Sequence, residues 1–523
     1  MPSSMSHKNA PSFLELNLHG KKPVIGLMAL FCYESLGIRN LGATFRNAGY
    51  ECVELFYEDL KRNYFRYPKP HELKNVINLF REHKVDFVGL SVTSSYRKLA
   101  KLIAPVIREE LGVPVICGSI DPTSCPDETM EYADAACVGD GEKALLSFMK
   151  GLEEGSDITG IQGLWLKKPD GGIIKNGMTE WVDINDLPII HYDAPGKYHT
   201  RGGEVIKGDP ILNDTSLSMV GSRGCPHACN FCMNSFFPKA NSKYIRLGNI
   251  DRIISEIKAA QKIMDVRRVK FYDELFATNK KWTEEFVEKY GRQVGVPFDA
   301  FLHPHHINDN LVAKLVSAGM YTVDMGIQSG SERVSNDLYG RRLSNEKVLN
   351  ATRILTRHGV NSNYDLIIDN PLETSEDKRK NFEFMLQVPR PYSLIVVSLT
   401  HMPKTPLTKQ LLEEGYIKTE DVEGYADNSL FQWEVSLTYK RSAEDRFWLA
   451  LISLLTKDFV PKPFIKLLSK SWLLKKFPAP LVGFAWVMNF IKLGFIVLKR
   501  LRAGTTTLQE IRRFANLRDL MVK

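Results

Sequence analysis

The chain has 523 residues, of which 44% are hydrophobic and 25% are charged, a balance typical of a globular protein with packed cores. This length predicts two or three domains. The net charge of +8 is uneven, because the residues from 440 onward hold 17 Lys and Arg against 5 Asp and Glu. The rest of the chain carries a small negative excess, so the composition argues against nucleic-acid binding by a basic core.

The cysteines outside the central motif are scattered and form no disulfide framework; they are Cys32, Cys52, Cys117, Cys125 and Cys137. The first residues, MPSSMSHKNAPSF, contain no apolar signal-peptide core. We therefore expect a reducing, cytoplasmic environment.

Short apolar runs alternate with helical patterns between residues 23 and 150. Strands are predicted at 24–29, 51–56, 87–92, 113–117 and 135–138, and helices at 39–48, 72–83 and 98–111. The alternation predicts a doubly wound, Rossmann-like α/β sheet that binds ligands at the carboxyl ends of its strands. Those ends carry small polar residues, among them Ser91, Thr93, Gly118, Ser119, Gly139 and Gly141. No G-x-G-x-x-G follows the first strand, which disfavours a nicotinamide site.

A second series of strands and helices follows a polar stretch. Six strands are predicted, at 217–221, 268–272, 298–301, 321–327, 364–368 and 394–399, with helices between them. Repeated units of this length predict a partial (β/α)6 barrel of the TIM type. Active residues in such barrels lie on the loops that follow the strands.

The most informative motif, GSRGCPHACNFC, follows the first strand of this series. Its cysteines, Cys225, Cys229 and Cys232, are close enough to converge on one iron–sulfur cluster. Three ligands leave one iron of a four-iron cluster open, as in catalytic rather than structural metal sites. A zinc knuckle is the alternative, but it needs a fourth ligand, and His227 lies between two of the cysteines.

The C-x3-C-x2-C spacing, with Phe231 before the third cysteine, resembles the radical S-adenosylmethionine (SAM) enzymes. The resemblance implies a [4Fe–4S] cluster whose open iron chelates SAM and whose electron cleaves SAM to a 5′-deoxyadenosyl radical. Later loops follow the order of that superfamily. The segment GIQSGSERV resembles its G-x-E-S-G-S element, with glutamine in place of glutamate, and MPKTPL resembles its Pro-Gly-Thr-Pro element. The implied cofactor contacts are Phe231, Asp273, Gln328, Ser329 and Ser331.

The first domain resembles the cobalamin-binding domain that precedes many radical SAM cores, on the stretch GSIDPTSCPDETMEYADAACVGDGE. The resemblance implies that the polar loop residues named above surround the corrin and its nucleotide tail. The loop after the first strand, FCYESLG, lacks the histidine of the Asp-x-His-x-x-Gly motif. Cobalamin would therefore be bound without a histidine ligand. A degenerate domain that has lost its cofactor is the alternative.

Three histidines lie after the third barrel strand, in FLHPHHIND. They could bind a metal, act as acids near neutral pH, or line the barrel mouth and begin a helix. We expect His303 and Tyr364 to be candidate substrate contacts.

The C-terminal region contains long apolar runs punctuated by lysines. Residues 477–498 read FPAPLVGFAWVMNFIKLGFIVL, a marginal length for a spanning helix with Lys492 inside it. Two interpretations remain open: an amphipathic segment on an anionic membrane surface, or a helical cap packed on the barrel.

Together these features predict a radical SAM enzyme that performs cobalamin-dependent methylation of an unactivated carbon. Alternatives are a ring-forming or rearranging oxidoreductase, a methylthiotransferase, and a non-enzymatic cobalamin or redox sensor. We expect a small, lipid-like or hydrophobic substrate and an electron donor such as flavodoxin or ferredoxin. The predicted divisions are an N-terminal tail, a cobalamin-binding-like domain, a linker, a radical SAM core and a helical C-terminal region, at 1–22, 23–155, 156–210, 211–420 and 421–523.

Overall fold

The computed structural model describes residues 10–58, 67–237, 242–423 and 441–502. The predicted N-terminal tail and C-terminal region therefore lie partly outside the described residues. The first nine strands are β1 Ile25–Leu30, β2 Cys52–Tyr57, β3 Phe87–Ser91, β4 Val115–Gly118, β5 Ala135–Cys137, β6 Leu164–Lys167, β7 Ile173–Lys175, β8 Lys197–Arg201 and β9 Glu204–Lys207. They form one sheet in the order β7-β6-β5-β4-β3-β1-β2-β8-β9. Strands β1 to β5 and β8 are parallel, and the others pair antiparallel at the edges.

Helices cover both faces of this sheet, which confirms the doubly wound prediction. They are α1 Leu36–Asn47, α2 Pro70–Glu82, α3 Arg97–Leu111, α4 Ile120–Ser124, α5 Pro126–Thr129 and α6 Gly141–Glu154. The side chains of β1 alternate between two apolar cores: Met28 and Leu30 lie in one, and Leu27 and Ala29 in the other. Burial on both faces explains why the strands are continuous apolar runs in the sequence.

The stretch 156–210, predicted as a linker, is instead part of the first sheet. It supplies β6 and β7 at one edge and β8 and β9 at the other. Leu164 and Leu166 are fully buried there, while Trp165 between them is half-buried. Strands of three to five residues offer too few alternations to be separated from loops by pattern alone.

The second sheet is the predicted partial barrel. Its strands are β10 Ser216–Met219, β13 Arg268–Phe271, β14 Phe298–Phe301, β15 Met320–Gln328, β16 Asn361–Ile368 and β17 Ser393–Ser398; a separate two-residue ladder joins β11 Ser222–Arg223 to β12 Arg246–Leu247. The six strands are all parallel and follow chain order. Between and after them come α7 Ile250–Gln261, α8 Lys280–Gln293, α9 Asp309–Ser317, α10 Asn345–Arg357, α11 Ser375–Gln387, α12 Pro406–Glu413 and α13 Thr419–Glu423.

The C-terminal helices pack beside the barrel. They are α14 Ala443–Leu455, α15 Lys462–Leu468, α16 Trp472–Lys476 and α17 Ala479–Arg502. Trp448 of α14 lies 5.5 Å from Phe382 of α11, and Arg441 forms an ion pair of 3.0 Å with Asp369, directly after β16. In the described part of the chain, no helix combines the length and apolar character needed to cross a membrane.

Candidate active site at the cluster loop

The cysteine motif lies in the loop between β11 and β12, at the carboxyl end of the barrel. Cys225, Cys229 and Cys232 are all partly buried, and a turn brings the amide of Cys232 to 3.0 Å from the carbonyl of Cys229. Gly224 has a φ of 95°, and a Cβ on it would lie 2.4 Å from the carbonyl oxygen of Tyr244. Only glycine fits at this position, so the approach to the first cysteine is fixed by packing.

Two acidic side chains after β13 hold the base of this loop. Asp273 accepts hydrogen bonds from the amide of Gly221 (2.7 Å) and the hydroxyl of Ser222 (2.5 Å). Glu274 accepts one from the amide of Gly224 (3.1 Å). Burial raises the pKa of Asp273 to about 7. Asp273, predicted as a cofactor contact, therefore has both carboxylate oxygens engaged by the protein, and it positions the cluster loop.

The far side of the loop is fastened to the segment that follows β15. Asn230 donates from its amide to the carbonyl of Tyr339 (2.9 Å) and from its side chain to that of Leu338 (3.1 Å). The ring of Phe231 packs edge-on against Tyr339 with centroids 5.0 Å apart. These contacts fix Phe231, the predicted cofactor contact, beside the third cysteine.

Arg341 completes this fastening with a buried positive charge. Its guanidinium donates to the carbonyls of Gly326 (2.8 Å) and Ile327 (2.5 Å) at the end of β15. Burial lowers the pKa of this guanidinium, while the electrostatic attraction of the Cys229 side chain raises it. Sequence reasoning missed this residue, because an arginine ten residues after the Gly-Ser loop gives no signal of its own.

The predicted SAM-binding loop has two side chains that hydrogen-bond within the protein and one with an acceptor atom that a ligand could use. Ser331 donates to Asp377 (2.6 Å), and Ser329 accepts from the amide of Ser331 (3.2 Å), so both hydroxyls hold the loop. Gln328 has a φ of 67° and lies against Gly326, where a Cβ would be 2.1 Å from its Nε2 atom. In the described ranges, the buried Oε1 atom of Gln328 has no hydrogen-bond partner. Gln328 is thus the residue of this loop with an acceptor available to a ligand.

A histidine cluster lies against the cluster loop at the barrel mouth. The ring of His303 stacks on that of His227 at 3.8 Å, and the Nε2 atoms of His227 and His306 are 3.3 Å apart. Burial, followed by the charge of Arg341, lowers the pKa of His303 to about 2, so this side chain is neutral. Its buried Nε2 atom has no hydrogen-bond partner among the residues that are described. Across those same residues, no three His, Cys, Asp or Glu side chains are placed to share a single metal ion; the cysteines of an iron–sulfur cluster each bind a different iron.

The barrel interior carries charged side chains that the sequence did not single out. Lys270 lies 3.7 Å from Asp324, and Asn363 donates to Asp324 at 2.8 Å. Burial and then Asp324 raise the pKa of Asp365 to about 7. Tyr364, the predicted substrate contact, points the other way: it is fully buried in the core outside the strands, 5.5 Å from Tyr392. Strand alternation places Asp365, not Tyr364, on the side of the strand that faces the interior.

The polar loops of the first sheet meet the barrel mouth. Ser91 and Gly118 are the last residues of β3 and β4, Thr93 and Ser119 follow those strands, and Gly139 and Gly141 follow β5. Ser119 has a φ of 91°, and Thr93 and Ser119 are exposed. The Ser94 hydroxyl is buried without a hydrogen-bond partner within the described ranges. Exposed hydroxyls beside an orphaned buried one fit the binding of a polar group at this edge, as the resemblance to cobalamin-binding domains implies.

The two sets of loops are joined by ion pairs and a hydrogen bond. Arg223 of the cluster loop donates to Glu142 (2.8 Å), directly after the Gly-rich turn, and Arg246 pairs with Asp140 of the same turn. The hydroxyl of Tyr272, after β13, donates to Glu34 at 2.7 Å. Glu34 precedes a glycine by three residues, the position of histidine in the Asp-x-His-x-x-Gly motif. The residues present fit the implied cofactors. Three thiols on one loop, which neighbouring side chains hold in place, would bind a cluster, and small polar residues on the loops of the first sheet would bind a corrin.

Comparison with known proteins agrees with this arrangement. The family model for the B12 binding domain matches residues 23–148, and that for the Radical SAM superfamily matches residues 219–385. The bacteriochlorophyllide d C-8(2)-methyltransferase of Chlorobaculum tepidum is 24% identical over 420 residues, covering 76% of this chain and 86% of that protein. An uncharacterized methyltransferase of Pyrococcus horikoshii is 23% identical over 360 residues, covering 67% and 74%.

Solved structures share the fold. The radical SAM methyltransferase TsrM from Kitasatospora setae, solved with cobalamin and a [4Fe-4S] cluster, superposes with a TM-score of 0.58 at 17% identity, covering 75% of this chain and 78% of that one. The cobalamin-dependent enzyme OxsB superposes with a TM-score of 0.56 at 18% identity, covering 77% and 56%. The cysteine loop, the strand order and both family matches lead to one conclusion: the chain belongs to the radical SAM superfamily, in the group whose members carry a B12-binding domain.

Proposed function

We propose that this protein is a cobalamin-dependent radical SAM methyltransferase that acts on an unactivated carbon. The contact between the two cofactor loops, in which Arg223 pairs with Glu142, carries the proposal. A methyl donor held at one loop can reach a carbon radical formed near the other only if the two loops lie side by side. The relatives named as methyltransferases support the same reaction class.

The cofactors, when bound, supply the radical that removes a hydrogen atom and the methyl group that replaces it. Cys225, Cys229 and Cys232 would hold the cluster, and Gln328 would accept a hydrogen bond from SAM. The neutral His303 lies where a substrate would enter the barrel, and its Nε2 atom is the polar group we assign to substrate contact. The role of the remaining residues is to hold these groups in place and to exclude water.

On the cobalamin side, we propose contacts from the loops after β3, β4 and β5. The residues are Ser91, Thr93, Gly118, Ser119, Gly139 and Gly141. The hydroxyls are suited to bonding amides and phosphate, and the glycines allow a close approach of the backbone. With Glu34 in place of the motif's histidine, the cobalt would lack a histidine ligand from this loop.

We further propose the partners. A lipid-like or hydrophobic small molecule is the substrate class, and flavodoxin or ferredoxin is the type of electron donor. The protein would be cytoplasmic with a peripheral membrane contact through its C-terminal region. The exposed apolar side chains of that region, together with its basic charge, support the membrane contact.

The experiment is anaerobic purification of the full chain with cobalamin supplied, followed by an absorbance spectrum and incubation with SAM carrying a deuterated methyl group. We expect corrin bands beside cluster absorption, and transfer of the deuterated methyl to reduced cobalamin. The matched control replaces Cys225, Cys229 and Cys232 by alanine, which should remove the cluster absorption and leave the corrin bands. A wild-type protein that binds a cluster but no corrin would contradict methyl transfer through cobalamin.

A further inference from the structure

The outward surface of α15, α16 and α17 is covered by large apolar side chains. The most exposed are Trp472 (72%), Leu467 (65%) and Phe495 (60%). The others are Phe464, Leu473, Phe477, Val482, Trp486, Val487, Ile491 and Leu498. The rings of Phe464 on α15 and Phe484 on α17 lie 6.3 Å apart, so the exposed side chains of these two helices adjoin. Large exposed apolar patches mark sites of interaction. We call these residues the apolar surface.

The inner and outer faces of α17 are both apolar. Leu481, Ala485 and Leu493 are buried inward against the rest of the protein. Lys492 is also turned inward, where its ammonium donates to the carbonyl of Thr456 at 2.8 Å. Between 479 and 498, the one charged side chain is therefore drawn away from the outer face. The outer face is therefore apolar. An ordinary surface helix differs, because it packs its apolar side inward and presents polar side chains to water.

The charge around this surface has a single sign. No Asp or Glu occurs between Asp458 and Glu510, a segment that contains seven lysines and two arginines. Lys466, Lys470 and Lys476 lie within or next to α15 and α16, among the exposed aromatic and aliphatic residues. Apolar residues with tryptophans and a rim of lysines are the composition of segments that lie in the interface of anionic membranes.

We infer that α15, α16 and α17 form a docking surface that lies flat in the headgroup region of an anionic phospholipid bilayer. This specifies the membrane contact proposed for the C-terminal region, and it does not depend on methyl transfer. Charge complementarity favours lipid over a second copy of the chain, because pairing two such surfaces would bring two sets of cations together. The absence of acidic residues in the segment itself is the decisive observation.

The surface is attached to the barrel at both edges. Lys462 of α15 donates to the carbonyls of Leu386 and Val388, which precede β17, at the edge opposite the active-site loops. The other attachment lies at the edge of those loops. Lys475 of α16 pairs with Glu444 at the start of α14 (2.7 Å), and the neighbouring Arg441 pairs with Asp369, which follows β16. Residues that follow barrel strands lie at the same edge as the cluster loop. Trp472 and Phe477, among the most exposed residues, flank this attachment. Trp472 and Phe477 therefore mark the end of the docking surface that lies nearer the barrel mouth.

The test is flotation of the full chain, loaded with its cluster, with vesicles of neutral phosphatidylcholine or of phosphatidylcholine containing one-quarter phosphatidylglycerol. We expect flotation with the anionic vesicles, weakened by salt, and at least a tenfold loss of the bound-to-free ratio when Trp472, Trp486 and Phe495 are replaced by serine. Replacement of Lys466 and Lys470 by glutamate should abolish the preference for anionic lipid. The matched control replaces the exposed apolar residues Ile206 and Tyr416 by serine and should bind like wild type.

The apolar-surface variants should keep the iron content and the circular dichroism spectrum of the wild type. A loss of flotation in such variants then reports on membrane binding, and not on misfolding or on loss of the cluster. Wild-type protein that stays with the soluble fraction would overturn the inference. A wild-type dimer that the triple serine variant converts to a monomer would assign the surface to a second copy instead. A monomer without lipid affinity would mean that other parts of the chain cover the surface.

Discussion

Replacement of Arg341 by methionine should lower the reduction potential of the cluster. Arg341 is 6% exposed, and its charge interacts with the side chain of Cys229, one of the predicted ligands. One-electron reduction adds a negative charge to the cluster, so a buried cation near a ligand stabilises the reduced form more than the oxidised one. Methionine keeps much of the side-chain volume but removes the charge and the donors.

The size of the effect follows from the charge of the arginine. Two unit charges about 6–10 Å apart interact by about 1.7–2.8 kcal/mol at an effective dielectric constant of about 20. If about half of this is gained only on reduction, the potential falls by roughly 30–60 mV, because 1.4 kcal/mol corresponds to about 59 mV for one electron. Arg341→Lys keeps the charge, so the reduction potential of its cluster should fall by less than that of Arg341→Met.

The assay is a redox titration of the cluster followed by electron paramagnetic resonance, with iron content measured for each variant. Arg333→Met is the matched control, since Arg333 follows the same Gly-Ser loop but pairs with Asp377. An unchanged potential in fully iron-loaded Arg341→Met would refute the assignment of a tuning role to this arginine.

Three further predictions concern stability and substrate contact. The pKa of Asp273 is about 7 in the folded protein and about 4 in the unfolded chain, so this carboxyl should lower the unfolding free energy as the pH rises from about 4 to 7. Asp273→Asn should remove this part of the pH dependence, measured by urea titrations at pH 5 and 8. An unchanged pH dependence would contradict the raised pKa. Asp209→Asn leaves the fully buried Arg39 without its carboxylate partner and should cost about 3–5 kcal/mol of unfolding free energy; a loss below about 1 kcal/mol would show that water reaches the arginine. His303→Phe removes a buried nitrogen without a partner, so it should raise the stability of the cofactor-free protein by about 1–3 kcal/mol. The same variant should keep SAM cleavage but lose methyl transfer at least tenfold, and full methyl transfer would remove His303 from the substrate site.

The elements that the sequence predicts well are those whose pattern is long or chemically specific. Strands β1 to β5 of the first sheet are buried on both faces, so continuous apolar runs mark them. Parallel strands bring their carboxyl ends to one edge of a sheet, so the sequence predicts that Cys225, Asp273 and Gln328 lie in one region, and the structure places their loops there.

The roles of individual side chains were harder to predict, because they depend on which residues, distant in the sequence, contact them in the folded protein. Ser331 resembles a SAM contact in sequence, yet its hydroxyl is bonded to Asp377, which lies 46 residues away and caps α11. Tyr364 was assigned to the barrel mouth although strand alternation turns it into the outer core. His227 was considered only as a poor cluster ligand, and its stacking on His303 depends on a contact between loops 76 residues apart.

The C-terminal region packs on the barrel as the helical-cap alternative predicts, and the membrane alternative stays a proposal. The inner faces of α14 and α17 pack beside the barrel, as expected of a helical cap, while the outer faces of α15 to α17 remain apolar and exposed. A count of apolar residues could not separate the two, because Asn489 and Lys492 interrupt the run in sequence. Only the structure shows that Lys492 points inward.

Cleavage of SAM by the anaerobically reconstituted protein under a strong reductant tests radical SAM chemistry most directly. We predict 5′-deoxyadenosine from the wild-type chain, and none from the variant in which Cys225, Cys229 and Cys232 are alanine. A wild-type protein with a complete cluster that forms no 5′-deoxyadenosine would contradict the assignment of a radical SAM enzyme.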